Sequence, residues 1–516
     1  MDPFIYQLPG ALSRKKVLKK LPKTPPYLLS FENGESWEGV LLDTFDAEMS
    51  QAGKILFQVV GKIFLFELQT GNLLEQVSDD GWSLADDLPD GPVASHVRRV
   101  SKLRAFLPVA KVHLTFGQGL LLDDERKTRT RFHHMTMSRG RKSMGVGSTQ
   151  YLRGYGQAHA DLRQALEKTG ADCCHDLEPV FKYLGIKREQ YTAKPVVRLN
   201  PDAPVKESAR TIINAFVGVA RRNESGVIAD YDTEFLHDYR VSLRKVRSVL
   251  SLFKGAFGQD ETVRLKQDFA ALMQKTNTLR DLDVYLLNRD KYFGLVPTDT
   301  HEGLDVLFVF LATERKKQQK IVSKTLRSST YRKEIERLVR LFADESNLAA
   351  GPRGEENSLL FACSLVKKRY EKVCKIARSI DSETKDEVIH KLRINCKKLR
   401  YLMEFFTPLF PENEIKSLVK SLKILQTNLG DFNDYSVQQL FLRQVLNEKM
   451  ASFGELKLKV AESVGALTAM LNRLQKKERQ EVMKNFARFD SPETRATLIK
   501  LFQVKENIDE DNSLLQ

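Results

Sequence analysis

One segment of this 516-residue chain occurs twice, 153 residues apart. The sequence His-Asp-Tyr-Arg-Val-Ser-Leu-Arg-Lys-Val-Arg, which begins at His237, returns at His390 as His-Lys-Leu-Arg-Ile-Asn-Cys-Lys-Lys-Leu-Arg. The register continues without a gap, since other residues recur at the same spacing: Glu234 as Glu387, Phe253 as Phe406, Leu265 as Leu418 and Asp281 as Asp434. This duplication predicts two pseudo-symmetric halves. Because the repeated charges are basic, it favours one shared site for a large polyanion.

Both copies predict an amphipathic helix with one cationic face. Each residue of an α-helix advances by about 100°, so the first, fourth, eighth and eleventh residues of the segment share a stripe about 80° wide. The two stripes consist of His237, Arg240, Arg244 and Arg247 in the first copy, and of His390, Arg393, Lys397 and Arg400 in the second. Apolar residues such as Leu243 and Leu399 fall on the opposite face. Lys245 and Lys398 directly follow the third member of each stripe and add to its charge.

Two interpretations of these stripes remain open. A basic run on a helix is most often a solvated surface. Solvated helix surfaces normally mix charges of both signs, because opposite charges three or four residues apart are stabilising. Asp238, however, is the only acid between His237 and Arg247. Unpaired like charges at this spacing repel, so the second interpretation is that an anion neutralises the stripe.

The motif Glu234-x-x-His237-x-x-Arg240-Val-x-x-Arg244-Lys245-x-Arg247, its second copy and the segments 280–284 and 430–434 resemble the CHAD domain, the conserved-histidine α-helical domain. The resemblance covers residues 200–502, with repeats at about 205–345 and 358–500. It implies an all-α fold of two pseudo-symmetric four-helix bundles, whose basic helix faces line a central groove or pore. It also implies that the ligand is inorganic polyphosphate.

The polyphosphate-binding residues predicted in this way are His237, Arg240, Arg244, Lys245, Arg247, His390, Arg393, Lys397, Lys398 and Arg400. Accessory basic residues are Arg280, Lys368, Arg369, Lys372 and Lys375. Asp281 and Asp434 follow the two histidines by 44 residues and are expected to orient an imidazole or to pair with an arginine. The histidines are interpreted as phosphate donors or structural braces, and no residue is predicted to be catalytic.

The first 199 residues predict an α+β domain. Strand-like patterns occupy residues 55–60, 62–68, 111–116 and 127–137, and helices are predicted over 161–168 and 176–184. Segments 42–53, 122–128 and 166–171 resemble the CYTH or triphosphate-tunnel domain, which implies a β-barrel with inward basic side chains and metal-holding glutamates. The family's E-x-E-x-K motif is missing at the start, and Phe57, Val59, Phe64 and Phe66 stand on the strands instead of arginines. We therefore predict a degenerate, non-catalytic barrel.

Composition adds three expectations. The five cysteines form no C-x-x-C motif, which predicts neither a disulfide framework nor a zinc site, and no cofactor or metal is predicted. Neither a signal peptide nor an apolar run long enough for a bilayer is seen, so a cytoplasmic protein without a membrane partner is expected. The net charge of +15 fits a polyanionic partner. Residues 503–516 form an acidic tail.

Three functions therefore compete. The first is polyphosphate binding without catalysis, which could place the protein at polyphosphate granules. The second is a triphosphatase or polyphosphatase that uses the N-terminal domain. The third is nucleic-acid binding, against which stands the lack of aromatic residues on the basic faces, because base stacking supplies much of single-strand affinity. The sequence leaves the oligomeric state open.

Overall fold

The chain divides into a strand-rich unit that ends at Thr192 and a helical unit that begins at Ala193. The computed structural model describes residues 2–502 apart from residues 80, 189 and 382. The predicted order of an α+β region followed by an all-α region is confirmed. The predicted acidic tail, residues 503–516, lies outside the described residues. Within those residues, no helix is long and apolar enough to cross a membrane.

The N-terminal unit is built on one sheet of nine strands. In chain order these are β1 (Ile5–Pro9), β2 (Leu28–Thr44), β3 (Lys54–Val59), β4 (Lys62–Glu67), β5 (Leu73–Val77), β6 (Phe106–Leu122), β7 (Thr128–Arg139), β8 (Lys142–Tyr151) and β9 (Asp172–Cys173). They pair antiparallel in the order β5-β4-β3-β2-β6-β7-β8-β1-β9. The predicted barrel is wrong in this respect, because the sheet is open. Its end strand β9 has two residues, too few to provide a closing ladder with β5.

Apolar side chains fill one face of this sheet. Phe57 and Phe64 are opposite each other on β3 and β4, and their rings stack with centroids 5.0 Å apart. Phe66 and Phe181 belong to the same buried cluster. Burial of aromatic rings is strongly favourable, so this face is part of a hydrophobic core.

Among the described residues of this unit, five α-helices accompany the sheet, and two of them were predicted. They are α1 (Arg14–Lys20), α2 (Glu48–Gln51), α3 (Pro92–Val100), α4 (Gly156–Glu167) and α5 (Glu178–Tyr183). The prediction located α4 and α5 and missed the other three. For α3 the signals were present, because Pro92 occupies the first turn and Val93 and Val97 point into the core.

The helical unit repeats one framework at the spacing of the sequence repeat. The first copy contains α6 (Val205–Ala229), α7 (Thr233–Leu252), α8 (Gln259–Gln274), α9 (Asn277–Leu287), α10 (Arg289–Phe293), α11 (His301–Arg327) and α12 (Ser329–Ala343). The second contains α13 (Ser358–Ala377), α14 (Asp386–Phe406), α15 (Glu412–Lys449), α16 (Lys457–Phe489) and α17 (Pro492–Phe502). Helices α6, α7 and α8 begin 153 residues before α13, α14 and α15. One difference is that α15 runs unbroken where the first copy divides into α8 and α9.

Equivalent residues of the two copies touch one another, as residues beside a two-fold axis do. Phe253 stacks on its equivalent Phe406, with ring centroids 4.8 Å apart. Pro204 and its equivalent Asn357 form an isolated antiparallel bridge. The Tyr285 hydroxyl donates to the carbonyl of Gln438, 153 residues later, at 3.4 Å. These contacts define a pseudo-dyad through the middle of the helical unit.

Candidate functional site

A cavity of about 560 Å³ lies on this pseudo-dyad and takes its lining from both copies. Its charged lining residues are Arg240, Arg244, Arg280, Arg393 and Lys397, together with the carboxylates Asp281 and Asp434. Three equivalent pairs are present, because Arg240 corresponds to Arg393, Arg244 to Lys397 and Asp281 to Asp434. Five cations therefore face two acids within one cavity. We call it the dyad cavity.

The second-copy cations are exposed to the dyad cavity and repel one another. Burial and the neighbouring cations Arg244, Arg393 and Arg400 lower the pKa of Lys397 to about 8, while Asp434 opposes this shift. Asp434 lies 3.8 Å from Arg393, whose side chain is a quarter exposed. The ammonium of Lys397 is thus held where its positive charge is unfavourable, and an anion in the cavity would reverse that penalty.

The two stripes differ in the environment of Arg240 and of its equivalent Arg393. It is buried, and its Nη1 donates to the carbonyl of Met273 at 2.9 Å and to the hydroxyl of Thr276 at 2.7 Å. Burial and Arg244 lower its pKa to about 10. The reason is local: the first copy breaks its long helix at Thr276, where the unbroken α15 has Leu429. The guanidinium of Arg240 therefore stabilises this break. Arg393 has no equivalent role, because α15 is unbroken.

The two histidines are held by residues that occupy equivalent positions. Arg280 Nη2 donates to Nδ1 of His237 at 2.8 Å, and Nδ1 of His390 lies 2.9 Å from the Asn433 side-chain oxygen, to which it donates. Each partner precedes the predicted orienting aspartate by one residue. The structure thus places Arg280 and Asn433 against the Nδ1 atoms. Of the two predicted roles of the aspartates, pairing with an arginine is the one that Asp434 performs.

The other predicted binding residues lie outside the lining of the dyad cavity. The Lys245 ammonium is 3.9 Å from Glu404 and 4.6 Å from the ring centre of Phe216, and burial lowers its pKa. Arg247 is exposed and contacts the Met273 sulfur at 3.7 Å, and Arg400 is 3.6 Å from Glu404.

Of the remaining predicted cations, Lys398, Arg369 and Lys372 are neighbours of one another. Lys398 has its pKa lowered by burial and by Arg369, Lys372 and Lys254. His390, Lys368 and Lys375 are exposed. Arg280 was predicted only as an accessory residue. The structure places it in the lining of the dyad cavity and in contact with His237.

One group of side chains has the composition of a metal site. Ligand atoms of Glu234, His237 and Asp238 lie within 4.8 Å of one another. Arg280 donates to the same histidine, and its positive charge opposes a cation there. The expectation of no metal stays a prediction.

Comparison with known proteins gives a family and five solved chains, two of which are described here. The family model of the CHAD domain matches residues 211–443. The crystal structure of the CHAD domain from the plant Ricinus communis is 23% identical, covers 59% of this chain and 95% of that chain, and has a TM-score of 0.46. PptA from Streptomyces chartreusis is 14% identical, covers 55% of this chain and 99% of that chain, and has a TM-score of 0.43. No curated protein matches the chain.

The contrast between Arg240 and Arg393 predicts unequal effects on stability. Arg240→Ala removes a donor from two buried acceptors, so the free energy of unfolding should fall by about 1–3 kcal/mol. Arg393→Ala removes a partly exposed cation and should change it by no more than about 0.5 kcal/mol. Urea unfolding followed by far-ultraviolet circular dichroism measures both values. Equal losses in the two variants would contradict the assignment of Arg240 to the helix break.

Proposed function

From the CHAD domain that the chain contains at residues 211–443, we propose that the dyad cavity binds a segment of inorganic polyphosphate and that the protein acts by binding rather than by catalysis. The observation that carries the proposal is the imbalance of charge on the pseudo-dyad. Arg240, Arg244, Arg280, Arg393 and Lys397 share one cavity with only two carboxylates, Asp281 and Asp434. A protein that binds polyphosphate in this way would associate with polyphosphate granules.

Polyphosphate suits such a cavity because it concentrates negative charge along an unbranched chain. Charge-assisted hydrogen bonds from arginine to phosphate are about twice as strong as neutral ones. Arg244 and Lys397 are equivalent residues, and Arg244 contributes to the lowered pKa of Lys397. A phosphate between them would accept from both and would remove their mutual repulsion. The same chain could continue to Arg393, so that each copy contributes to one ligand.

The alternatives gain less support. For single-stranded nucleic acid, bases need free aromatic faces to stack on. The aromatic residues of the dyad cavity, Tyr285 and Phe441, instead stack on each other with ring centroids 4.2 Å apart. A triphosphatase would need basic side chains on the N-terminal sheet face where Phe57, Phe64 and Phe66 are buried. These observations favour polyphosphate binding over both other functions.

Removal of two cavity cations should weaken binding and its dependence on salt. Each charge-assisted contact contributes about 1.5–3 kcal/mol, so Arg393→Ala with Lys397→Ala should weaken binding of linear polyphosphate at least about a hundredfold. By analogy with single strands, the slope of log affinity against log salt should decrease by about 1.4. Arg332→Ala with Lys333→Ala is the matched control, because it removes two exposed cations of α12. Isothermal titration at several salt concentrations measures both quantities. Unchanged affinity in the cavity variant, or an equal loss in the control, would refute the proposal.

Binding should also weaken as the pH rises through about 8, the pKa to which Lys397 is lowered. In the free protein this lysine loses its proton at lower pH than an ordinary lysine does. A bound anion raises its pKa, so binding above that pH must take up a proton and becomes less favourable. Lys397→Arg keeps the charge at all these pH values and should flatten the profile. Titrations from about pH 7 to pH 9 with both proteins test this point. The same slope in both would show that Lys397 does not contact the ligand.

A further inference from the structure

We propose that a second cationic surface, formed by Lys254, Arg369, Lys372 and Lys398, binds the continuation of a polyphosphate chain that leaves the dyad cavity. We call it the flank patch. The inference rests on the proposed function and extends it, because it assigns to the protein a preference for long chains. The four cations come from both copies: Lys254 follows the end of α7, Arg369 and Lys372 lie on α13, and Lys398 lies on α14.

The members of the flank patch are close enough to act on one another. The neighbours that lower the pKa of Lys398, besides burial, are Arg369, Lys372 and Lys254. Lys254 and Lys372 are exposed. Arg369 is positioned by a hydrogen bond of 2.8 Å from its Nη1 to the side-chain oxygen of the buried Asn395. A guanidinium fixed in this way loses little freedom when it binds a phosphate.

The duplication supplies an internal control for these four cations. At the equivalent positions of the opposite copy, Phe216, Val219 and Lys245 stand for Arg369, Lys372 and Lys398, and Thr407 stands for Lys254. The same helix pair thus folds with apolar or neutral residues at three of the four positions. The cations of the flank patch are therefore not required by the framework, and their mutual repulsion needs another compensation.

At the position equivalent to Lys398, the positive charge of Lys245 is partly neutralised by a nearby carboxylate. Glu404 lies 3.9 Å from Lys245, and the residue equivalent to Glu404 near the flank patch is Ser251. The chain's own segment 194–199 lines a groove together with Phe216 and Lys245. The flank patch has a serine in place of that acid. We therefore expect an anion from outside the chain to neutralise the positive charge of the patch.

The flank patch and the dyad cavity are joined through two consecutive residues of α14. Lys397 lines the cavity, and Lys398 belongs to the patch. Their Cα atoms are about 3.8 Å apart, and their side chains leave the helix about 100° apart. A polyanion that contacts Lys397 and crosses α14 would meet Lys398 next, and then Arg369 and Lys372.

Chain length separates the two sites experimentally. Tripolyphosphate is short enough to use the dyad cavity alone, whereas long-chain polyphosphate could use both surfaces. Lys254→Ala with Lys372→Ala changes two exposed residues and should weaken binding of long chains about tenfold, because solvent-exposed ion pairs contribute only about 0.2–1 kcal/mol each. The same variant should bind tripolyphosphate within about twofold of the unchanged protein. Isothermal titration of the full chain with both ligands measures these four constants.

Two further variants keep failure of the inference distinct from failure of the proposed function. Arg393→Ala with Lys397→Ala should weaken binding of both ligands, and if it weakens neither, the proposed function itself is wrong. If that variant behaves as expected but the patch variant binds long chains normally, or loses affinity equally for both lengths, the flank patch is not a continuation site. Arg332→Ala with Lys333→Ala removes the same charge elsewhere. An equal loss for long chains in that control would attribute the effect to net charge and overturn the inference.

Discussion

Cations repel one another across the pseudo-dyad, and the rest of the helical unit has to offset this repulsion. In a duplicated fold, a residue beside the two-fold axis faces its own equivalent, so a cation in the repeated segment meets another cation. Arg244 and Lys397 are such a pair, and burial together with the charge of Arg244 lowers the pKa of Lys397. Asp434, 3.8 Å from Arg393, offsets part of this shift. The aromatic contact of Phe253 with Phe406 and the rest of the apolar core hold the two copies together against this repulsion.

The two copies carry the same segment but use it differently. The first directs Arg240 to the break between α8 and α9, and its Lys245 pairs with Glu404. The second keeps Arg393 and Lys397 in the cavity and gathers further cations around Lys398. The basic residues of the first copy therefore make more contacts within the protein, and those of the second copy provide more of the accessible positive charge. Such a division is possible because the duplication preserved the framework while individual positions changed.

The sequence predicted the framework because its signals are local and repeated. A constant spacing of 153 residues and a clean separation of apolar and basic faces were enough to predict paired amphipathic helices. The burial and the hydrogen-bond partners of single side chains depend on packing between distant segments, and a local sequence pattern does not predict them. Arg240 is buried and donates to Thr276, and the two histidines contact Arg280 and Asn433. In the N-terminal unit the strand pattern was readable, but whether a sheet closes depends on how its end strands meet.

The most direct test of the account is the reactivity of individual lysines toward an acylating reagent, read by mass spectrometry with and without polyphosphate. Because its pKa is lowered to about 8, Lys397 should react faster at neutral pH than an exposed lysine such as Lys333. Bound polyphosphate should cover Lys397 and raise its pKa, so its reactivity should fall strongly while that of Lys333 changes little. If polyphosphate binds and Lys397 remains as reactive as before, the dyad cavity is not the binding site.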